Sequence, residues 1–243
     1  MNLAKGHQSS QIFSKSWFSL TYNPMFFTRR FLYRGIEQWA PRLQGHVLDL
    51  GCGTKPYRPL FTHAERYTGV DIEISGNTDQ KESVDVFYNG SELPFEPESV
   101  DAVFSSETFE HIFNLEIIVG EINRVLKKDG LLLVTCPFTW PEHEVPYDFA
   151  RYTSYGIQDM LKRNGFEIVE LEKTGNYFLS VLQLQALYLY YFINRIPVLS
   201  PLFFLLFISP IFLFGSLVNA VLPSFMKRKD LYLNNIILAK KIS

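Results

Sequence analysis

Cysteine is scarce in this 243-residue chain, with Cys52 and Cys136 the only two. Two thiols cannot make a disulfide framework and are too few for a structural zinc cluster, so no metal is expected. Basic charge is not in excess either. Lys and Arg number 23 against 25 Asp and Glu, a formal charge of −2. That balance argues against a duplex nucleic-acid binder, and no nucleic-acid partner is expected. Met1–Leu20 lacks a basic region followed by an apolar core, so no secretory leader is expected and a reducing cytoplasm is the expected compartment. Charge all but vanishes between Lys173 and Lys227, where Arg195 is the single charged residue. What the chain has in plenty is aromatic rings: 22 Phe, 13 Tyr and 3 Trp, concentrated toward its two ends.

The middle of the chain alternates strand and helix patterns. Short apolar runs at His46–Leu50, Tyr67–Val70, Val84–Phe87, Val100–Phe104 and Leu131–Cys136 read as strands. Leu115–Lys127 is the clearest helix between them. A capped helix follows Tyr152-Thr153-Ser154 and stops at Asn164-Gly165. Strands are expected again at Phe166–Lys173 and Leu231–Lys240. Alternation of this kind predicts an α/β fold with a mostly parallel sheet, and ligands then bind outside the carboxyl ends of its strands. Before the sheet, a helix from Asn23-Pro24 to Pro41 carries Phe27, Phe31, Leu32, Ile36 and Trp39 on one stripe, with Arg29, Arg30 and Arg34 away from it. It reads as a lid packed on the domain, with a basic amphipathic helix on anionic lipid as the alternative.

His46-Val47-Leu48-Asp49-Leu50-Gly51-Cys52-Gly53 is a buried strand running into Asp-x-Gly-x-Gly. Asp71 ends the next strand, where nucleotide-binding α/β folds place a carboxylate for ribose hydroxyls. Two departures from a dinucleotide site sharpen this pattern. Pro56 stands where the third glycine would fall, and Asp49 would repel a pyrophosphate but suits a cationic ligand. Both favour S-adenosylmethionine, which carries ribose, adenine and an amino-acid tail but no phosphate.

Val47–Gly53 resembles the first motif of class I S-adenosylmethionine-dependent methyltransferases, and Gly69-Val70-Asp71 their ribose-binding strand end. Leu93-Pro94-Phe95, Val100-Asp101-Ala102-Val103, Glu110-His111-Ile112 and Glu121–Lys127 with Gly130 resemble successive blocks of the type-11 methyltransferase group. The resemblance covers about residues 44–173 and the last strand. It implies a Rossmann-like class I methyltransferase sheet, mostly parallel with the last strand antiparallel. It also implies the cofactor S-adenosylmethionine, with Asp49, Gly51 and Gly53 on its methionine side and Asp71 on its ribose. Asn89 takes the place of an acid that in this group meets the adenine amino group, and Asp85 is a possible substitute. Glu107 either faces the sulfonium or serves as a helix N-terminal charge. His111 is expected to cap or pack beside Glu110.

After the fifth strand, Pro137–Thr153 gathers His143, Glu142, Glu144, Asp148, Arg151 and five aromatic rings. Pro141, His143, Glu144, Pro146, Asp148, Arg151 and Thr153 resemble a subgroup often encoded in bacterial surface-polysaccharide clusters. His143 and Glu144 are the candidate catalytic groups, since methyl transfer to a hydroxyl needs a base. A hydrogen-bonded network of His143, Asp148 and Arg151 that fixes the loop is the competing role.

Residues 174–226 are long and apolar enough to meet a bilayer. The strands on either side pair in one sheet, so the chain crosses twice or not at all. Pro197, Pro201 and Pro210 are expected to break the second half into short helices, and Gln183, Gln185 and Asn194 make the first half a poor span. A monotopic hairpin at the inner face of the membrane is favoured, with a homodimer interface as the alternative. The expected organisation is an N-terminal lid (1–43), a methyltransferase domain (44–173 with 230–243) and a hydrophobic insertion (174–229). The expected function is O-methylation of a lipid-linked saccharide or other amphipathic acceptor at the membrane surface. A quinone, other lipid or small-molecule acceptor, and a non-catalytic membrane partner, are the alternatives.

Overall fold

Strand β1 (Gly45–Leu50) is the third strand of a seven-stranded sheet. The other strands are β2 (Ala64–Ile72), β3 (Val86–Tyr88), β4 (Val100–Ser106), β5 (Leu126–Pro137), β6 (Phe166–Lys173) and β7 (Asn234–Lys241). Their order is β3-β2-β1-β4-β5-β7-β6. The pairs β1–β2, β1–β4, β2–β3 and β4–β5 are parallel, and one strand of the sheet is antiparallel. This computed structural model describes residues 16–72, 83–195 and 199–242. Two units divide the chain: Gly35–Glu172 with Asn235–Ser243, and Met1–Arg34 with Lys173–Asn234.

In the sheet unit, continuous apolar runs bury both faces of the central strands, as parallel sheets require. Leu48, Leu50, Val103, Leu132 and Val134 are fully buried. Helix α2 (Leu115–Val125; α1 lies nearer the N-terminus) buries Leu115, Ile118, Val119, Ile122 and Val125 at helical spacing. The helix ends before the expected Lys127 because Leu126 already joins the sheet. Val100 pairs with Leu126, and Ala102 with Leu131, so residues 127–130 bulge out. Gly130 permits this, since a Cβ there would lie 2.8 Å from the Lys127 carbonyl. Helix α3 (Ser154–Arg163) starts as expected, with Thr153 Oγ1 accepting from Gly156 N at 3.0 Å. Strand β6 matches its expected bounds, whereas β7 begins at Asn234 rather than Leu231.

The other unit differs more from expectation. Helix α1 (Phe26–Trp39) starts in this unit and ends in the sheet unit. Residues 16–34 therefore share a core with the hydrophobic segment and do not form a lid domain of their own. Phe26 and Phe27 pack with Leu179, Ala186, Phe204, Ile208 and Phe212. Arg30 is buried, with its guanidinium 3.9 Å from the centre of the Trp17 ring, so it is not on the polar side of α1. Helix α4 (Tyr177–Ile193) is capped by Asn176, whose Oδ1 accepts from Leu179 N. Gln183 is fully buried on α4. Its amide accepts from Phe27 N at 3.0 Å and donates to Pro24 O at 2.7 Å.

Pro201 and Pro210 do not break the second half. Helix α5 (Ser200–Val221) is continuous, with Pro201 in its first turn and a π-helical stretch at Phe204–Ile208 just before Pro210. The widened turn accommodates a residue that cannot donate a backbone hydrogen bond. Pro197 lies outside the described residues. Among those residues α5 is the one helix long and apolar enough to cross a membrane, and 28% of its most apolar 18-residue stretch is buried.

Candidate active site

Strand β1 delivers the chain into a turn of two glycines with positive φ, Gly51 at 72° and Gly53 at 47°. At Gly51 a Cβ would fall 2.2 Å from Thr108 Oγ1, so this glycine allows close approach to the end of β4. At Gly53 a Cβ would meet nothing within 4 Å, and the backbone there is open to a ligand. Gly53 N donates to Asp71 Oδ2 at 3.0 Å, and Ile72 N donates to Asp71 Oδ1 at 2.8 Å. The glycine turn and the end of β2 are thus tied together. Burial raises the Asp71 pKa, the two backbone donors oppose this, and the charge of Glu144 adds to it.

Asp49 is buried two residues earlier in β1, its Oδ2 accepting from Tyr67 Oη at 2.7 Å. Desolvation pushes its pKa up to about 7. The Tyr67 hydrogen bond opposes that shift and the nearby Asp71 charge reinforces it. Asp85 Oδ2 is engaged by Gly69 N at 2.7 Å and Lys55 Nζ at 2.5 Å. Burial would raise its pKa, but these donors outweigh burial and hold it below the usual carboxylate range. Asn89 Oδ1 accepts from Ser91 N, Ser91 Oγ and Glu92 N. The acceptor oxygen expected to meet adenine is therefore engaged in a local turn. Glu107, at φ 53°, accepts from Thr135 Oγ1 at 2.8 Å, and its N–H donates to Thr135 O.

The loop after β5 closes on the same strand ends. Asp148 is its anchor. Arg151 donates to both of its carboxylate oxygens, and His143 N donates to Oδ2 at 2.9 Å. Burial opposes ionisation of Asp148, but the Arg151 hydrogen bonds hold its pKa at about 2. Arg151 also donates to the Trp140 and Pro141 carbonyls. The network expected to fix the loop is present, and His143 belongs to it through Nδ1, 3.2 Å from Asp148 Oδ2. Desolvation and the neighbouring His111 lower the His143 pKa, which keeps the ring neutral near pH 7. Glu144, at φ 51°, is exposed, with Oε2 4.0 Å from His111 Nε2.

Asp49, Gly51, Gly53 and Asp71 therefore form one cluster, with Glu144 close enough to act on Asp71. Glu107 is held at the end of β4, while Asn89 is turned to its own loop. Sequence reasoning gave Glu110 no role of its own. The structure buries it completely between Glu107 and the two histidines, where burial first and Glu107 second push its pKa well up. The legible signal was the Glu110-His111 pair at the end of one strand, with a third candidate ligand, His143, in the loop after the next.

Residues 48–134 match the model of a family described as "methyltransferase domain". An uncharacterised protein of Methanocaldococcus jannaschii is 34% identical over 109 residues, which cover 44% of this chain and 42% of that protein. The O-methyltransferase resE of Aspergillus sclerotiorum is 27% identical over 149 residues, 51% of this chain and 56% of that protein. The chain thus spans about half the length of these curated relatives. A solved structure of Haemonchus contortus phosphoethanolamine N-methyltransferase 2, in complex with phosphomonomethylethanolamine and S-adenosylhomocysteine, superposes with a TM-score of 0.56. It is 19% identical, and the match covers 97% of this chain and 58% of that one.

Proposed function

With residues 48–134 forming a methyltransferase domain of the class I fold, we propose that the protein transfers a methyl group from S-adenosylmethionine to a hydroxyl of an amphipathic acceptor. One observation carries the cofactor reading: the glycine turn, open at Gly53, is hydrogen-bonded to the Asp71 carboxylate. Asp71 keeps lone pairs for ribose hydroxyls, and Asp49 offers a carboxylate to the ammonium of the methionine part. Two carboxylates here disfavour a phosphate-bearing cofactor. Bound S-adenosylmethionine supplies a methyl on a sulfonium, the electrophile of the reaction.

The loop holding His143 and Glu144 supplies the groups that take the acceptor's proton. His143 is neutral and oriented by Asp148, as a base must be, and Glu144 reaches solvent. Exposed Phe113, Phe149, Tyr147 and Val145 belong to the same loops and offer an apolar rim to an acceptor. Phe113 and Phe149 meet edge to face at 5.3 Å.

The membrane-surface part of this reading rests on α5, whose Leu205, Leu206, Phe207, Phe214 and Leu217 are exposed. Contiguous exposed apolar surface of this kind marks a membrane or partner contact. A lipid-linked saccharide fits both halves, a hydroxyl-rich head for the loop and a lipid for the helix. A second copy of the chain covering α5 is the competing use of that surface.

The test is calorimetry of the full chain with S-adenosylmethionine and S-adenosylhomocysteine, then transfer of a labelled methyl to lipid-linked glycans. Binding of both with label in a glycan fraction supports the reading. Failure to bind either would overturn it, and label in a lipid without a sugar would remove the saccharide.

A further inference from the structure

Glu110 lies in the 3-10 turn Phe109–His111 that follows β4. Its side chain has no exposed surface, and neither carboxylate oxygen has a hydrogen-bond partner in another residue; only its own backbone N–H bears on it. Leaving such a group unsatisfied in the interior is costly. Two imidazoles face it. His111 Nε2 stands 3.7 Å and His143 Nε2 4.0 Å from Glu110 Oε1, both beyond hydrogen-bonding distance.

The other nitrogen of each ring is already committed. His111 Nδ1 lies 2.7 Å from the Tyr147 carbonyl, which can only accept, so this nitrogen carries the ring hydrogen. His143 Nδ1 lies 3.2 Å from Asp148 Oδ2 and donates to that ionised carboxylate. Arg151 Nη2 is 3.4 Å from the same nitrogen but makes its shorter bonds to Asp148 Oδ2 and the Pro141 carbonyl. In neutral rings tied this way, both Nε2 atoms present lone pairs. Two imidazole lone pairs and a carboxyl group therefore converge within 4.8 Å, with no hydrogen bond between them. The rings meet at 72°, their centroids 4.7 Å apart, so neither stacks over the gap.

We propose that Glu110, His111 and His143 bind one divalent transition-metal ion. Metal–ligand bonds of about 2.0–2.2 Å bring ligand atoms to roughly 3–3.5 Å from one another, so the atoms, now 3.7 Å to at most 4.8 Å apart, close by about half an ångström to one ångström or more on loading. Two imidazoles and one carboxylate select zinc, iron or cobalt over magnesium or calcium. The hydrogen bonds at both Nδ1 atoms are the outer contacts that fix tautomer and orientation in histidine metal sites. His111 and His143 stay partly accessible, at 16% and 24% of their side chains, which leaves coordination positions open on the side where Glu144 approaches.

The role of the ion rests on the methyl-transfer reading, but its binding does not. There it takes the acceptor hydroxyl as a ligand and lowers its pKa. The hydroxyl proton passes to Glu144 and then to water. As the oxygen–methyl bond forms, the sulfur–methyl bond breaks and its electron pair stays on sulfur. His143 is then a ligand, and Glu144 alone accepts the proton.

The experiment uses the untagged full chain, stripped with chelator and titrated with Co2+ in the absence of cofactor. Visible d–d absorption that saturates at one ion per chain is expected, displaced by Zn2+ and unaffected by equimolar Mg2+. Glu110→Gln keeps the shape of the side chain and should weaken binding about 100-fold or more. Asp148→Asn, outside the ligand set, should weaken it about 10–100-fold. S-adenosylhomocysteine binding and thermal melting check that each variant is folded, with His111→Gln as the alternative if Glu110→Gln is not. Absence of a saturable band, or equal affinity in a folded Glu110→Gln or His111→Gln variant, overturns the site. Loss of cofactor binding with an intact cobalt band would overturn the methyltransferase reading and leave the metal site standing.

Discussion

Tyr67 Oη donates a 2.7 Å hydrogen bond to Asp49 Oδ2, a carboxylate buried beside the glycine turn. The pair links the end of β1 to the middle of β2 and keeps an ionisable acid where a cationic ligand is expected. Tyr67→Phe should destabilise the protein by about 1–3 kcal/mol, the cost of stranding a buried acceptor. Denaturant unfolding near pH 8 checks this, and an unchanged midpoint would mean that water replaces the phenol.

Asp49 also makes stability depend on pH. Its folded pKa, about 7, lies above the unfolded value of 3.8. The stabilising contribution of the protonated form is therefore complete below about pH 4 and is lost as pH rises through about 7, an effect of up to about 4 kcal/mol. Glu110 shifts in the same direction. The measurement is thus the difference between wild type and Asp49→Asn across pH 4–8, and the variant should show the shallower fall.

Removing Asp71 should act on the cofactor rather than on the fold. Asp71→Ala is expected to weaken S-adenosylhomocysteine binding by about 1–3 kcal/mol through lost charged hydrogen bonds. The Gly53 and Ile72 N–H groups that it now satisfies would turn to water, so a small drop in melting temperature accompanies the loss. Unchanged affinity by calorimetry would exclude Asp71 from the site.

His143→Ala should lower turnover by about 10²-fold or more. Chelator separates the two ways in which it can act. If His143 is a base in a metal-free site, chelator leaves wild-type turnover unchanged. If it is a ligand, chelator lowers wild-type turnover toward the variant's and Zn2+ or Co2+ restores it.

The exposed side of α5 predicts partition onto membranes. The full chain should sediment with anionic phospholipid vesicles, and Leu206→Glu with Leu217→Glu should reduce the bound fraction at least tenfold. Both side chains are more than half exposed, so folding should be little affected. A concentration-dependent dimer that these substitutions dissolve, with no vesicle binding, would assign the surface to a second copy.

Much of the sheet unit was legible because its signals are local. The runs at β1 and β4 are long enough and apolar enough to be buried strands, and Thr153 and Asn164-Gly165 bracket α3 by cap chemistry alone. Even the separated blocks at Leu93-Pro94-Phe95 and Glu121–Lys127 have a local reason to recur together. Arg124 donates to the Leu93 and Phe95 carbonyls at 2.9 Å, and Glu121 accepts from Leu93 N. The hydrophobic unit was harder to read. Proline in a helix interior reads as a break, and only the π-turn at Phe204–Ile208 shows how α5 continues. Gln183 reads as a polar blemish in an apolar run until Phe27 and Pro24, more than 150 residues away, satisfy it.

By itself, then, the sequence determined the alternation of strands and helices, the glycine turn and the carboxylate at the end of β2. These follow from hydrophobic period, backbone sterics and spacing along one chain. Tertiary structure decided which side chains are left facing each other without a hydrogen bond between them. Glu110, His111 and His143 come from two loops, and only the folded sheet brings their lone pairs into one buried gap. That arrangement depends on desolvation and on where each Nδ1 finds a partner, quantities that no linear pattern records.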